Sequence, residues 1–305
     1  MLFSLALIPV IVILVFIYAK DKKEKEPKGL LIGLFFAGMA TVITALIGEI
    51  VGELIFDAIM PYESALKSFL LAMLIVAPAE ELGKYMALRL VTWKNKNFNY
   101  SYDAIVYAVF VSLGFAALEN VGYVYQNGLS TAIIRMFTAV PGHAADAVFM
   151  GYFYSRAKYA SLTNNKAEYS KNIRRTILIP ILTHGIYDGI IFGGLSSGED
   201  LALIGAVLLW IVYVIVLFVF SIITIVKASK NDFCIAYYPQ NVQAVYMPTF
   251  GGDWLCNCGM TNQLNYCGRC GQMRPVSNVW YCPRCGSASA YNFCGCCGLP
   301  RAQYQ

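Results

Sequence analysis

Charged residues are scarce in this chain, and cysteine is absent from its first 233 residues. Only 13% of the 305 residues are charged, whereas 58% are hydrophobic. Soluble domains carry about 25% charged residues, so this composition excludes an ordinary soluble protein and indicates a membrane protein. The absence of cysteine also excludes a thiol nucleophile from the apolar two-thirds of the chain.

Seven apolar segments approach the length of about 20 residues that a membrane span requires. In this topology sixteen lysines and arginines lie on one side of the membrane and two on the other. The side with more positive charges is expected to be cytoplasmic. We therefore predict an all-α polytopic plasma-membrane protein with about seven transmembrane helices, its N-terminus outside and its C-terminus inside. The approximate spans are residues 2–19, 29–48, 69–93, 101–125, 132–155, 173–195 and 201–226.

Three ionisable residues interrupt the third span within five positions: Glu80, Glu81 and Lys84. A charge near the bilayer centre costs at least about 2.5 kcal/mol, so such residues usually form a site. Glu80 and Lys84 are four residues apart on one helical face, and Glu81 points about 100° away. We therefore expect Glu80 to be the ion-paired member, with Glu81 unable to share Lys84 equally. Which carboxylate activates water stays open.

Both histidines of the chain also lie in predicted spans. His143 precedes Asp146 by three residues and His184 precedes Asp188 by four, so each is expected to pair with its own acid. Such a carboxylate raises the basicity of the imidazole and suits either a general base or a metal ligand. Together with Glu119, these groups predict a single buried site near the bilayer midplane.

Two further charged features have other interpretations. Arg135 lies in the first turn of the fifth span and is expected to turn its side chain outward to the membrane surface. Glu49, Glu53 and Asp57 recur at helical spacing and predict an amphipathic helix at the outer surface, with a contribution to a substrate entrance as the alternative.

Carboxylates and imidazoles in a partly wet pocket fit hydrolysis of a peptide bond by an activated water, in a glutamate-dependent or metal-assisted form. The HExxH and paired-aspartate protease signatures are absent from the sequence. A proton-coupled transporter is an alternative, since acids and histidines in spans also build proton relays. A non-catalytic receptor that signals through its C-terminal tail is another.

The order of these motifs on successive spans resembles the PrsW family of intramembrane proteases, which is distantly similar to type II CAAX prenyl endopeptidases and abortive-infection proteins. The resemblance covers about residues 30–195 and rests on Glu80-Glu81-x-x-Lys84, Phe115-x-x-x-Glu119, Pro141-Gly142-His143 and His184-x-x-x-Asp188.

The resemblance implies that Glu80 and Glu81 activate water, that Lys84 orders them, and that four further residues complete the site: Glu119, His143, His184 and Asp188. It implies a single-span membrane protein as substrate, since family members are associated with cleavage of membrane-anchored anti-sigma factors. The CAAX relatives have histidine where this chain has Glu119, and arginine one position after Lys84, so prenylated-peptide cleavage is less expected. Participation of a catalytic metal stays open.

All ten cysteines lie at Cys234 or later, which divides the chain into a membrane domain (1–228), a linker (229–252) and a tail (253–305). The tail repeats a Trp-x-Cys and CxxC pattern with a period of 26 to 27 residues and resembles tandem zinc ribbons. Four thiolates per unit predict two structural zinc ions. The eight predicted ligands are Cys256, Cys258, Cys267, Cys270, Cys282, Cys285, Cys294 and Cys297.

The charge of this tail argues against nucleic acid as its partner. Four arginines and one aspartate give +3, and eight thiolates with two zinc ions change this to about −1, whereas nucleic-acid binding normally requires a basic face. We expect a structural module or a contact for a cytosolic protein.

Overall fold

The computed structural model describes residues 2–235 and, in the tail, residues 254–255, 258–262, 269, 280–281, 288–289 and 294. These residues belong to two units, 1–235 and 236–305, which are described separately.

The first unit is built from helices. In chain order they are α1 (Leu2–Lys20), α2 (Lys28–Ile59), α3 (Ala65–Leu71), a π-helical turn (Ala72–Val76), α4 (Ala77–Thr92), α5 (Asp103–Phe137), α6 (Ala139–Leu162), α7 (Lys166–Leu195) and α8 (Asp200–Lys230).

Four helical segments are long and apolar enough to cross a membrane. They are Lys28–Ile59, Asp103–Leu162, Lys166–Leu195 and Asp200–Lys230, and a shorter apolar helix covers Ser4–Lys20. The predicted all-α membrane architecture is therefore confirmed. The count of seven spans stays a prediction.

The segment Asp103–Leu162 turns back on itself at Gly128. Gly128 has φ 78° and ψ −156°, a backbone conformation that glycine adopts without steric cost. Asn120 and Arg135 are joined by a hydrogen bond of 2.8 Å, although 15 residues of straight helix would separate them by about 22 Å. The two arms are antiparallel, since Ser112 bonds the carbonyl of His143.

The first arm of α5 forms the centre of the core, with residues 103–109 and 111–117 buried. α2 crosses it at two glycines. A Cβ on Gly38 would lie 1.9 Å from the Val111 carbonyl oxygen, and one on Gly114 would lie 2.0 Å from that of Phe35. The two backbones therefore touch directly, in the way that small residues allow between membrane helices.

The glutamate pair follows an irregular stretch of helix. The amide of Ala77 bonds the Ala72 carbonyl five residues back, and Pro78 then lacks the amide that a regular helix would use. A π-turn at this point relieves the missing bond, and such turns are frequent at functional sites. α4 begins directly after it and presents Glu80 and Glu81 in its first turns.

The described part of the tail contains two short antiparallel hairpins. Strand β1 (Trp254–Leu255) pairs with β2 (Thr261–Asn262), and β3 (Trp280–Tyr281) pairs with β4 (Ala288–Ser289). Their registers correspond, because Trp254 opposes Asn262 and Trp280 opposes Ser289. The structure thus repeats where the sequence repeats. Of the eight predicted zinc ligands only Cys258 and Cys294 lie among the described residues, so zinc binding stays a prediction.

Candidate active site

Lys84 lies at the centre of the polar residues inside the membrane unit. Its Nζ donates to Glu80 Oε2 at 2.9 Å and to Glu81 Oε1 at 2.7 Å, and it lies 3.2 Å from Nδ1 of His143. It also stands 4.0 Å from the ring centroid of Phe115. The expectation that Glu81 could not share this lysine equally with Glu80 was wrong. A long side chain reaches acids at both i−3 and i−4, so Lys84 pairs with both.

His143 is oriented by two charged partners. Lys84 has no acceptor, so Nδ1 of His143 accepts and the proton of a neutral ring lies on Nε2. That nitrogen is 2.8 Å from Glu119 Oε2. The predicted pairing of His143 with Asp146 was wrong, since Asp146 instead accepts a hydrogen bond of 2.5 Å from Thr183. Helical spacing alone did not reveal that α5 would supply a nearer carboxylate.

His184 lies between two carboxylates. Nδ1 is 2.9 Å from Glu81 Oε1 and Nε2 is 3.1 Å from Asp188 Oδ2. The predicted pair with Asp188 is confirmed. Both ring nitrogens face acceptors, an arrangement that the doubly protonated imidazolium satisfies. The ring also lies edge-on to His143, with centroids 5.2 Å apart.

The two glutamates occupy different surroundings. Glu81 is 1% exposed and is bonded by Lys84 and His184, and it lies outside the lining of the adjacent cavity. Glu80 accepts a hydrogen bond from Lys84, lies 3.9 Å from Nδ1 of His184, and lines that cavity of about 230 Å³. Four other predicted site residues line it as well: Glu119, His143, His184 and Asp188. All seven predicted site residues thus belong to one cluster and its cavity.

The sequence did not reveal two charged residues of this cavity, Glu49 and Arg135. The guanidinium of Arg135 bonds Glu119 at 2.9 Å and Asn120 at 2.8 Å, so the expectation that it turns outward was wrong. The reversal at Gly128 returns it to the site. Glu49 lies within the long α2, and the alternative interpretation of its segment, a contribution to the substrate entrance, fits better than a surface helix.

The site contains the donor types that a zinc ion prefers. One atom from each of four residues, Glu80, Glu81, His143 and His184, lies within 4.8 Å of the other three. Glu81 Oε2 is buried and has no hydrogen-bond partner among the residues that the structure describes. Two imidazoles with carboxylates are a ligand set of catalytic zinc, so these residues fit such an ion. The Lys84 ammonium already bonds the same acids, and a metal ion would share the cluster with it.

Known proteins similar to this chain point to one family. Residues 26–223 match the family described as PrsW family intramembrane metalloprotease. Protease PrsW of Oceanobacillus iheyensis is 35% identical over 211 residues, covering 68% of this chain and 91% of the relative. Protease PrsW of Geobacillus kaustophilus is 32% identical over 209 residues (68% and 88%), and that of Clostridioides difficile is 33% identical over 222 (71% and 86%). No solved structure matches the chain. The cluster of acids and histidines within the helical unit is consistent with these matches. The chain belongs to the PrsW family of intramembrane metalloproteases.

Proposed function

We propose that Glu80 is the general base of this protease and that Glu81 is a positioning residue. The observation that carries the assignment is the difference between the two carboxylates: Glu80 lines the cavity and accepts one hydrogen bond, from Lys84, whereas Glu81 is enclosed by hydrogen bonds to Lys84 and His184. A general base needs access to water and substrate, and Glu80 has it.

In this mechanism a water in the cavity gives a proton to the Glu80 carboxylate as its oxygen attacks the carbonyl carbon of the scissile peptide. The resulting oxyanion is stabilised by cationic or N–H groups of the cavity wall, of which Arg135 and His143 are the nearest candidates. The C–N bond then breaks as protonated Glu80 gives its proton to the leaving amine. Glu81 and Lys84 hold Glu80 in position throughout.

Glu81, His143 and His184 are the residues that would bind a catalytic metal, which would leave the neighbouring Glu80 free as the base. When bound, such an ion supplies a Lewis acid that polarises the carbonyl and lowers the pKa of a bound water. Glu119 and Asp188 would then fix the rings of His143 and His184 through the second ring nitrogen.

We further propose a single-span membrane protein as the substrate, cut in a regulated cascade of the anti-sigma-factor type. The bilayer supplies the substrate, and the cavity within the helical unit receives it. The loop charges support an external N-terminus and a cytoplasmic tail. Membership of the protease family favours this function over a transporter or a receptor.

For the tail we propose tandem zinc ribbons that bind two structural zinc ions and contact a cytosolic protein. The matching hairpins at Trp254 and Trp280 support one fold repeated twice.

The assignment of the base is tested by comparing Glu80→Gln with Glu81→Gln in liposomes that contain a single-span substrate. Loss of a general base typically costs about 10²- to 10⁴-fold in rate. We expect Glu80→Gln to lose cleavage by that factor while its thermal unfolding stays near wild type, because one ion-pair contact is weakened. Glu81→Gln is expected to lose both cleavage and stability, since a neutral amide cannot satisfy Lys84 and His184 together.

Glu199→Gln is the matched control, because Glu199 is exposed directly before α8 and does not line the cavity. It should cleave like wild type. Unchanged proteolysis in Glu80→Gln would overturn the assignment of the base, and full activity in both variants would overturn the mechanism.

A further inference from the structure

A second cluster of carboxylates lies far from the active site, where the loop between α1 and α2 meets the start of α5. Its members are Asp21, Glu26 and Asp103, which are 1%, 3% and 0% exposed. One carboxylate oxygen from each lies within 4.8 Å of the others. Asp103 precedes Glu119 by 16 residues of helix, a distance of about 24 Å along α5, so the two clusters are separate.

Several oxygens of this cluster are buried without a hydrogen-bond partner among the described residues. Both carboxylate oxygens of Asp21 and Oδ1 of Asp103 belong to this group, and so does Oδ2 of the neighbouring Asp232. A buried polar group left unpaired costs about 1 to 3 kcal/mol, and more when it is charged. Asp21, with neither oxygen paired, has a carboxylate that needs a ligand.

The nearby cations do not neutralise these acids. Lys25 directs its ammonium to the backbone carbonyls of Tyr18 and Asp21. No ion pair with Asp21, Glu26 or Asp103 occurs within the described part of the chain. The carboxylates of Asp232 and Glu24 add further negative charge near Asp21, which the Lys25 ammonium only partly opposes. The fold concentrates negative charge here and leaves it uncompensated.

The remaining oxygens are held in fixed positions. Asp103 Oδ2 accepts from the amides of Asn99 and Tyr100 at 3.0 and 2.7 Å, and Glu26 Oε2 accepts from the Tyr107 hydroxyl at 2.5 Å. Bonds of this kind orient carboxylates that bind a metal. A proton shared between Glu26 and Asp103 would relieve that pair, but it would leave both oxygens of Asp21 unpaired.

We propose that Asp21, Glu26 and Asp103 bind a hard divalent cation, of the Mg²⁺, Mn²⁺ and Ca²⁺ class, which fastens the loop between α1 and α2 to the start of α5. All three donors are carboxylates, which these cations prefer, and the cluster lacks the imidazole or thiolate that would favour zinc. The ion supplies the positive charge that the surrounding side chains do not. Its function is to fix α1 and α2 against the central helix of the protease.

Mn²⁺ tests this site in the full-length protein in detergent, after dialysis into buffer freed of divalent cations. Electron paramagnetic resonance of free Mn²⁺ gives the number of bound ions. We expect the wild type to bind one ion that Asp21→Asn does not bind, and Asp200→Asn, the same substitution at an exposed residue of α8, to retain it. Glu81→Gln should also retain it, which separates this ion from any ion in the active site.

Thermal unfolding gives a second readout. A saturating excess of Mg²⁺ or Ca²⁺ should raise the Tm of the wild type by about 5 °C or more. Asp21→Asn should fold without the cation, because the change removes a repelling charge, and its Tm should not respond. Equal cation-dependent shifts in wild type and Asp21→Asn, or no saturable Mn²⁺ binding to the wild type, would overturn the site. Neither outcome bears on Glu80 as the base.

Discussion

Lys84 and its ion-pair partners contribute both to the stability of the fold and to the function of the site. A buried ammonium survives in a membrane protein only if acceptors replace its water, and Lys84 has two carboxylates and one imidazole nitrogen as partners. The same contacts set the tautomer of His143 and fix Glu80 beside the cavity. Lys84 therefore both holds the site together and supplies the positive charge that neutralises its carboxylates.

Replacement of Lys84 by methionine should destabilise the protein strongly, because two buried carboxylates lose their counter-charge. Breaking a buried pair by removing one partner costs about 3 to 5 kcal/mol, and we expect that loss in the free energy of unfolding in mixed micelles, together with loss of cleavage. Lys67→Met is the matched control, since Lys67 pairs with the exposed acids Asp57 and Glu63. It should cost much less, because Asp57 and Glu63 are exposed to solvent and need no counter-charge. Equal losses in both variants would contradict the central role of Lys84.

At the scale of the element, the sequence predicted which segments are helical and which residues are polar within them. It could not predict how the helices bring those residues together. The i, i+3 rule assigned Asp146 to His143, but the nearest acid is Glu119, which comes from the neighbouring arm of α5. Arg135 was misplaced for a related reason: the predicted spans 101–125 and 132–155 imply the reversal near Gly128, but not that the Arg135 side chain bonds Glu119 and Asn120 across it.

The crossing of α2 and α5 is the element contact on which this geometry depends. Gly114→Ala would place a Cβ 2.0 Å from the Phe35 carbonyl oxygen, so the helices must separate near Phe115, Glu119 and Lys84. We expect a lower Tm and at least a tenfold loss of cleavage, in the range that small misplacements of catalytic groups produce.

Gly122→Ala on the same helix provides the control, because a Cβ there would meet no atom within 4 Å. It should be neutral or stabilising by up to about 1 kcal/mol, since alanine is the better helix former. The measurements are the unfolding temperatures and cleavage rates of Gly114→Ala and Gly122→Ala. Equal values for the two variants would show that the crossing of α2 and α5 tolerates a Cβ at Gly114.

At the scale of the whole molecule, the boundary of the membrane unit lies later than the cysteine distribution predicted. The sequence placed the end of the domain at residue 228, where the apolar pattern stops. In the structure the chain continues to pack against the unit up to Ile235. Ser101 and the amide of Tyr102 bond Asp232, and the amide of Ile235 bonds the Asn99 carbonyl at 2.7 Å. These contacts are polar and local, so hydropathy could not reveal them.

Truncation separates the two boundaries. A chain that stops after Ile235 keeps the hydrogen bonds that join residues 231–235 to the membrane unit and should retain wild-type unfolding temperature and cleavage. One that stops after Lys230 leaves the Ser101 hydroxyl and the amides of Tyr102 and Ser101 without their partners Asp232 and Phe233. At about 1 kcal/mol for each lost hydrogen bond, it should be destabilised by roughly 3 kcal/mol, measured by thermal unfolding in detergent.

Metal analysis of the same samples should find two zinc ions fewer in the chain ending at Ile235 than in the full chain, as the tandem zinc ribbons require. Equal stability of the two truncations would place the boundary at the end of α8, and equal zinc content with and without the tail would exclude zinc from it.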